Sequence, residues 1–138
     1  MDWITDQIAI GNYLEAKDVA LLKQHGFRSA LSLDGTLAER HAAQFGLDKV
    51  ASYPLIDGSG NDLRVFRFAI DDLRRFVASH SPVLVQCHAG RSRSAVVVAG
   101  HLMEARGISP EEAIDLVAAK REINITPALV DLLYKLEV

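Results

Sequence analysis

The stretch at residues 87–94 constrains the fold more than any other part of the chain, because it joins two apolar runs of different character. The run before it, residues 83–85, is short and mostly β-branched, and the run after it, residues 95–99, continues with helical composition. Together with Gly90 between them, they predict a strand, a loop and a helix. In such a unit the loop amides and the helix N-terminus point at one site, which favours binding of an anion.

The only cysteine of the chain, Cys87, begins this loop. We expect its thiol to be ionised, because the positive end of the helix dipole and the nearby Arg91 and Arg93 stabilise a thiolate. A thiolate at an anion site is suited to attack a phosphate ester. We therefore predict phosphate monoester hydrolysis, with Cys87 as the nucleophile and Arg93 holding two phosphate oxygens through its planar guanidinium.

The rest of the loop completes the predicted phosphate site. Its candidate substrate-binding residues are His88, Ala89, Gly90, Arg91, Ser92 and Arg93. Ser94 could donate a hydrogen bond to the thiolate and make it a better leaving group, or either Ser92 or Ser94 could cap the helix. A protonated His88 would add positive charge beside the substrate, and the alternative is a side chain that points into solvent.

A carboxylic acid on a polar loop is the expected proton donor for the leaving oxygen. Residues 57–62 are the most loop-like stretch of the chain, and loops of this kind often carry function. Asp57 is our first candidate, Asp62 the second and Asp34 the third. The structural alternatives are an Asx turn for Asp57 and a helix N-cap for Asp62.

Short strands alternate with helices along the chain. We predict a short strand or a pair of strands at residues 4–10, and further strands at residues 28–33, 50–53 and 83–86. Helices are predicted at residues 14–25, 37–45, 63–79, 94–106, 110–120 and 127–136. This order is typical of an α/β domain with a central, mostly parallel twisted sheet of four or five strands and helices on both faces. The strand that ends at Gln86 is expected at the centre, because it is apolar on both faces. No linker interrupts the pattern, so we expect a single domain over residues 1–138.

Composition excludes several classes of protein. A chain of 138 residues with 49% hydrophobic content suits one compact core, and a net charge of -3 does not suit a nucleic-acid binder. The single cysteine, the absence of a signal-peptide pattern and the shortness of the apolar stretch at residues 95–103 predict a cytoplasmic protein without a transmembrane segment. The five histidines are scattered, so we expect no metal and no cofactor, and we expect a monomer.

The loop also carries a family resemblance. Cys87, five further residues and then Arg93 and Ser94 resemble the Cys-(x)5-Arg-(Ser/Thr) signature of the protein tyrosine phosphatase superfamily, and the dual-specificity branch fits best. Weaker similarities cover residues 8–12, Ala16, Asp18, residues 26–28, Asp57 at the position of the family's general acid, Arg121 and residues 126–127. The resemblance implies the cysteine-based phosphatase fold, a cysteinyl-phosphate intermediate, and phosphotyrosine and phosphoserine/threonine in proteins, or a small phosphorylated compound, as substrates.

Two features leave alternatives open. The family usually has His before the cysteine, whereas Gln86 stands here and cannot carry charge, so a phosphate-binding module with little activity is one alternative. His88 and Arg91 resemble the basic loop positions of phosphoinositide and phosphatidylglycerophosphate phosphatases, which implies polyanionic substrates as another. Rhodanese-type sulfurtransferases also have a cysteine loop after a strand, but their loop is typically shorter, and they remain a distant alternative.

Overall fold

A computed structural model of the chain describes residues 1–38 and 41–136. Within these residues a single five-stranded sheet has the strand order β1-β2-β5-β3-β4. The strands are β1 Asp2–Trp3, β2 Ile8–Gly11, β3 Ser29–Ser32, β4 Lys49–Ser52 and β5 Val83–Gln86. Strand β1 is antiparallel to β2, and the other neighbouring pairs are parallel. The predicted mostly parallel sheet is therefore correct.

Strand β5 lies at the centre of the sheet, as its apolar sequence predicts. Its four residues are all buried, and it pairs with β2 on one side and β3 on the other. At its carboxyl end Gln86 is in register with Gly11 and Ser32. The loop that follows β5 consequently begins where three parallel strands end, which is the edge of an open α/β sheet where ligands bind.

Six α-helices cover the two faces of the sheet in the described part of the chain. They are α1 Tyr13–Ala16, α2 Val19–Gln24, α3 Leu63–Ser79, α4 Arg93–Arg106, α5 Pro110–Ala118 and α6 Pro127–Leu136. Alternate residues of β5 enter different cores, because successive side chains of a strand point to opposite faces. Val83 and Val85 pack in the larger cluster with α3, α4, α5 and α6, whereas Leu84 packs in a smaller cluster with Leu22 and Phe27.

The first predicted helix, at residues 14–25, is two short helices in the structure. Asn12 and Glu15 form a capping box at the start of α1, and the side chain of Asp18 accepts a hydrogen bond from the Leu21 amide at the start of α2. Because this second cap starts a separate helix, residues 14–25 do not form one continuous helix. Leu14 of α1 is 58% exposed, whereas Leu22 of α2 is fully buried.

The helix predicted at residues 37–45 was also wrong in its extent. The structure has a short 3-10 turn at Ala42–Phe45, closed by Gly46 with a φ of 70°. Leu37 is buried, but Ala38 is exposed, and residues 39 and 40 lie outside the described part of the chain. The remaining helices agree with the sequence prediction within two residues at their ends, a difference typical of helix boundaries.

Candidate active site

The loop between β5 and α4 surrounds the buried thiol of Cys87, whose residue is 2% exposed. The Ser94 hydroxyl lies 3.2 Å from Cys87 Sγ, and the Ser94 amide donates to the same sulfur at 3.4 Å. Among the described residues, no other hydrogen-bond partner of the sulfur is found. Ser94 is therefore placed to donate to a thiolate with both its hydroxyl and its amide.

Gly90 gives the loop its turn. Its φ of +69° lies in the left-handed region, and a Cβ at this position would come within 2.6 Å of the Gly11 carbonyl oxygen and 2.7 Å of Arg121 Nη2. Backbone cannot move aside as a flexible side chain can, so only glycine fits here. The loop thereby passes close to the end of β2.

Arg121 holds the loop from behind with a side chain that is 11% exposed. Its Nε donates to the Gly90 carbonyl at 2.6 Å and its Nη2 donates to the Ala89 carbonyl at 3.2 Å. Its Nη1 forms an ion pair with Asp2 at 2.8 Å. Since the carbonyl and N–H of a trans peptide point in opposite directions, the amides of Gly90 and Arg91 point away from Arg121 and are free to face an anion.

A cleft of about 240 Å³ opens at this loop. Its lining residues are Asp57, Cys87, His88, Ala89, Arg91, Ser92, Arg93 and Asn124. The cleft thus brings together Asp57, Cys87 and Arg93, which lie far apart in sequence. Asn124, which the sequence did not single out, lines the same cleft. Its backbone N–H donates to the Arg91 carbonyl at 2.9 Å.

Asp57 is bound through a single carboxylate oxygen. Its Oδ1 accepts hydrogen bonds from Ser92 Oγ at 2.7 Å and from Thr126 Oγ1 at 2.6 Å. Burial raises the pKa of Asp57, but the hydroxyl donors Thr126 and Ser92 and the charge of Arg93 outweigh burial, so the pKa lies below its usual value. These partners are distant in sequence, so the Asx-turn alternative for Asp57 does not describe its contacts.

Asn61 closes the loop that carries Asp57. Its Oδ1 accepts from the Ile56 amide at 2.8 Å, and its Nδ2 donates to the Ile56 carbonyl at 2.8 Å and to the Gly58 carbonyl at 3.2 Å. Three hydrogen bonds within one short segment give this loop a defined shape next to the cleft. The composition of residues 57–62 predicted a loop but not the hydrogen bonds that Asn61 forms within it.

The two other acid candidates lie outside the cleft. Asp62 is the N-cap of α3, accepts from the Arg64 amide at 2.8 Å and forms an ion pair with the Arg64 side chain. Asp34 accepts from the Thr36 amide at 2.9 Å in the segment after β3. The structural alternative that the sequence offered for Asp62 therefore describes its position, and Asp57 is the one candidate of the three that lines the cleft.

Arg93 begins α4 and keeps most of its donors available. Its Nη1 donates to the Leu55 carbonyl at 3.2 Å, and its Nε is buried without a hydrogen-bond partner among the described residues. An unpaired guanidinium donor is costly to bury, so a ligand oxygen in the cleft would satisfy it. Ser92 occupies the N-cap position of α4, yet its hydroxyl makes no cap and binds Asp57 instead.

Gln86 at the end of β5 and His88 in the loop lie in different surroundings. Gln86 is fully buried, and its Nε2 donates to Thr36 Oγ1 at 3.2 Å and not to the sulfur. His88 is exposed and stacks on Tyr13, with ring centroids 4.5 Å apart and planes 5° apart. Lys17 Nζ lies 5.3 Å from the Tyr13 ring centroid, so a positive charge accompanies this stack. Arg91 is exposed and forms no ion pair within the described residues.

Comparison with known proteins agrees with this geometry. Residues 8–138 match the family described as dual specificity phosphatase, catalytic domain. The chain belongs to this family. The crystal structure of human tyrosine phosphatase-like serine/threonine/tyrosine-interacting protein has a TM-score of 0.85 to this dual specificity phosphatase domain, at 25% identity, covering 99% of this chain and 95% of that one. The predicted fold class is therefore confirmed.

Two curated relatives are similar over different lengths. Dual specificity protein phosphatase Mpk3 of Drosophila melanogaster is 30% identical over 119 residues, which are 86% of this chain and 28% of the relative. Phosphatidylglycerophosphatase and protein-tyrosine phosphatase 1 of Rattus norvegicus is 48% identical over 52 residues, which are 37% of this chain and 27% of the relative. The alignments thus span less than a third of the length of either relative.

Membrane-spanning helices and clusters of metal-binding side chains are both absent from the described residues. Of the helices in residues 1–38 and 41–136, none is long and apolar enough to cross a membrane. In the same residues, no three His, Cys, Asp or Glu side chains are grouped so that they could hold a metal ion.

Proposed function

We propose that this dual specificity phosphatase domain hydrolyses phosphate monoesters through a cysteinyl-phosphate intermediate. The observation that carries the proposal is the position of Cys87 beneath a cleft that Arg93 and Asp57 also line, with the Ser94 hydroxyl 3.2 Å from the sulfur. A nucleophile, an oxyanion clamp and an acid in one small cleft are the groups that phosphoryl transfer requires.

In the first step the Cys87 thiolate attacks phosphorus. An S–P bond forms, the bond to the leaving oxygen breaks with its electron pair on oxygen, and Asp57 supplies the proton to that oxygen. Arg93 and the loop amides bind the phosphoryl oxygens as their charge is redistributed. Asp57 must be protonated at this point, and the negative charge of the bound phosphate favours that by raising the pKa of the carboxyl from its low value in the free protein.

In the second step water attacks the phosphorus of the intermediate. The Asp57 carboxylate takes a proton from the water, an O–P bond forms, and the S–P bond breaks with its electron pair on sulfur. The Ser94 hydroxyl, 3.2 Å from the sulfur, donates to the thiolate as it leaves and so stabilises it. Inorganic phosphate then leaves the cleft.

Two substitutions test this mechanism against aryl phosphates. Cys87→Ser is expected to abolish turnover, because an unactivated hydroxyl is a far weaker nucleophile than a thiolate. Asp57→Asn is expected to lower kcat on phenyl phosphate by about 100-fold or more, within the range for loss of a general acid, and much less on dinitrophenyl phosphate, whose leaving group needs no proton. Asp62→Asn is the matched control, since Asp62 lies in the same loop but caps α3.

The results that contradict the mechanism are specific. Substantial turnover by the Cys87→Ser protein would exclude the cysteinyl intermediate. Equal losses of Asp57→Asn on both aryl phosphates would move the acid role to another group. A loss for Asp62→Asn equal to that of Asp57→Asn would indicate that the loop, and not the carboxyl in the cleft, is responsible.

For the substrate, we propose phosphotyrosine and phosphoserine or phosphothreonine in proteins. The family match and the relative named as a dual specificity protein phosphatase support this class. The second candidate is a polyanionic phospholipid or inositol phosphate. It is favoured by the exposed Arg91 in the cleft, which forms no ion pair with the residues that the structure describes, and by the 48% identity over 52 residues to the rat phosphatidylglycerophosphatase.

A substrate panel separates the two classes. We expect higher kcat/KM on phosphotyrosyl and phosphothreonyl peptides than on a phospholipid headgroup or inositol phosphate. A reversed order, with Arg91→Ala losing activity selectively on the polyanion, would favour the second candidate. Tight binding of inorganic phosphate without turnover of any substrate would favour a phosphate-binding module.

A further inference from the structure

Three parts of the chain meet at one oxygen atom of Asp57. The loop before α3 carries the carboxyl, the loop after β5 contributes Ser92, and the segment before α6 contributes Thr126. The Thr126 amide also donates to Ser92 Oγ at 3.1 Å, so the two hydroxyl residues are held together independently of Asp57. The carboxyl thus binds to a preassembled pair of donors.

The number of hydroxyl protons determines which hydrogen bonds this cluster can form. Each hydroxyl has one proton to donate, and Ser92 and Thr126 both lie within 2.7 Å of Asp57 Oδ1. When both protons point at Oδ1, neither is available for the 3.3 Å contact between the two hydroxyl oxygens. Oδ2 of Asp57 has no hydrogen-bond partner among the described residues. A proton on Asp57 therefore fits on Oδ2 without any rearrangement of the cluster.

We propose that Thr126, acting with Ser92, is a positioning residue that fixes Oδ1 of Asp57 and so presents Oδ2 as the atom that gives its proton to the leaving oxygen. This inference rests on the proposed function, in which Asp57 is the general acid. It assigns to Thr126 a role in the reaction, whereas in the sequence this residue only preceded a predicted helix and belonged to a weak family similarity.

The two hydroxyls also act on the energetics of proton transfer. Before transfer they donate to a neutral carboxyl, and after transfer they donate to a carboxylate. Hydrogen bonds to a charged acceptor are about twice as strong as neutral ones. The cluster therefore stabilises the charge that develops on Asp57 as the leaving oxygen departs, which is stabilisation of the transition state over the ground state.

Thr126→Val tests the role because valine keeps the shape of threonine and removes the hydroxyl, while the Thr126 amide contact to Ser92 is a backbone bond and remains. On the acidic plateau of the pH profile, we expect kcat on phenyl phosphate to fall about tenfold, the factor for loss of one hydrogen bond of about 1.4 kcal/mol to a charged group. On dinitrophenyl phosphate kcat should change little. Thr126→Ser restores a hydroxyl and should restore activity on phenyl phosphate.

The pH dependence supplies a readout that a purely structural role would not change. A donor to the carboxylate lowers the pKa of Asp57, so its removal raises that pKa. Because the acid must be protonated, the basic limb of the kcat profile on phenyl phosphate should move to higher pH in Thr126→Val. In an Asp57→Asn background, Thr126→Val should cause no further loss.

A measurement without turnover separates this inference from the proposed function. Carbon-13 NMR titration of the Asp57 carboxyl in full-length Cys87→Ser protein should give a higher pKa when Thr126→Val is added and the original one with Thr126→Ser. An unchanged titration would overturn the inference even if the enzyme mechanism is correct. Equal loss of kcat on both aryl phosphates, or a further loss in the Asp57→Asn background, would also overturn it. Failure of the mechanism itself would appear in the Cys87→Ser and Asp57→Asn assays.

Discussion

Replacing Arg121 by alanine removes the guanidinium that supports the loop between β5 and α4, and we expect a large loss of stability. The side chain is 11% exposed and donates to the Gly90 and Ala89 carbonyls at 2.6 and 3.2 Å. A hydrogen bond from a charged donor contributes about 1.5–3 kcal/mol. Two such bonds give an expected loss of about 3 kcal/mol or more in the free energy of unfolding, a large part of the ~5–15 kcal/mol of a typical domain.

The ion pair of Arg121 with Asp2 should contribute much less. The Asp2 side chain is 46% exposed, and exposed ion pairs are typically worth about 0–1 kcal/mol because water screens them. Asp2→Asn is therefore the matched control, since it removes the charge but leaves the guanidinium on the loop carbonyls. The difference between the two variants reports the bonds from Arg121 to the loop together with the 3.4 Å contact of its Nη1 with the Ile10 carbonyl.

Urea unfolding followed by circular dichroism measures both variants. With a slope of about 2 kcal/mol per molar urea, Arg121→Ala should lower the midpoint by roughly 1.5 M and Asp2→Asn by less than about 0.5 M. Arg121→Ala should also weaken inhibition by inorganic phosphate, because the loop amides lose their fixed orientation. Equal midpoint shifts for the two variants, or undiminished phosphate inhibition in Arg121→Ala, would refute the reasoning.

Two further predictions concern backbone and titration. Gly90→Ala should lower the melting temperature more than Gly26→Ala, because both positions have positive φ but only the Cβ at Gly90 would meet backbone, at 2.6 Å from the Gly11 carbonyl; similar losses in calorimetry would show that φ alone matters. Burial, together with the hydrogen bond to Asp72 and its charge, raises the pKa of Tyr53 from 10.0 to about 12. The free energy of unfolding should therefore fall as the pH rises from 10 to 12, and it should fall less in Tyr53→Phe. If the urea midpoints of the two proteins decreased by the same amount from their values at pH 8, this prediction would be contradicted.

Local patterns made the core of the site predictable from sequence. The β-branched run, the small loop and the helix that follow one another around Cys87 are determined by neighbouring residues, and so is the loop that carries Asp57. Once both segments lie at the carboxyl edge of a parallel sheet, their side chains meet in one cleft. The central position of β5 was predictable for a similar reason, since its residues are apolar on both faces.

Contacts between distant residues were not predictable in the same way. Arg121 reaches Asp2 across 119 residues and Gly90 across 31, and Thr126 reaches Asp57 across 69. No periodicity or spacing indicates such pairs, because only the folded sheet brings them together. The prediction of one helix over residues 14–25 failed for a different reason. The cap at Asp18 starts a second helix and outweighs an apolar spacing that suits a single one.

The surroundings of the thiol show how the site accommodates Gln86. Its side-chain nitrogen donates to Thr36, and its side-chain oxygen is buried without a partner among the described residues. The Gln86 side chain therefore binds the segment after β3 and not the sulfur. Hydrogen bonds to Cys87 Sγ come instead from the hydroxyl and amide of Ser94 on the other side of the loop. Arg121 fixes the carbonyls of that loop, and Ser92 links it to Asp57. Among the described residues, the hydrogen bonds to Cys87 Sγ and to Asp57 therefore come from the loop after β5 and from Thr126, so we expect activity to be more sensitive to changes in that loop than to replacement of Gln86.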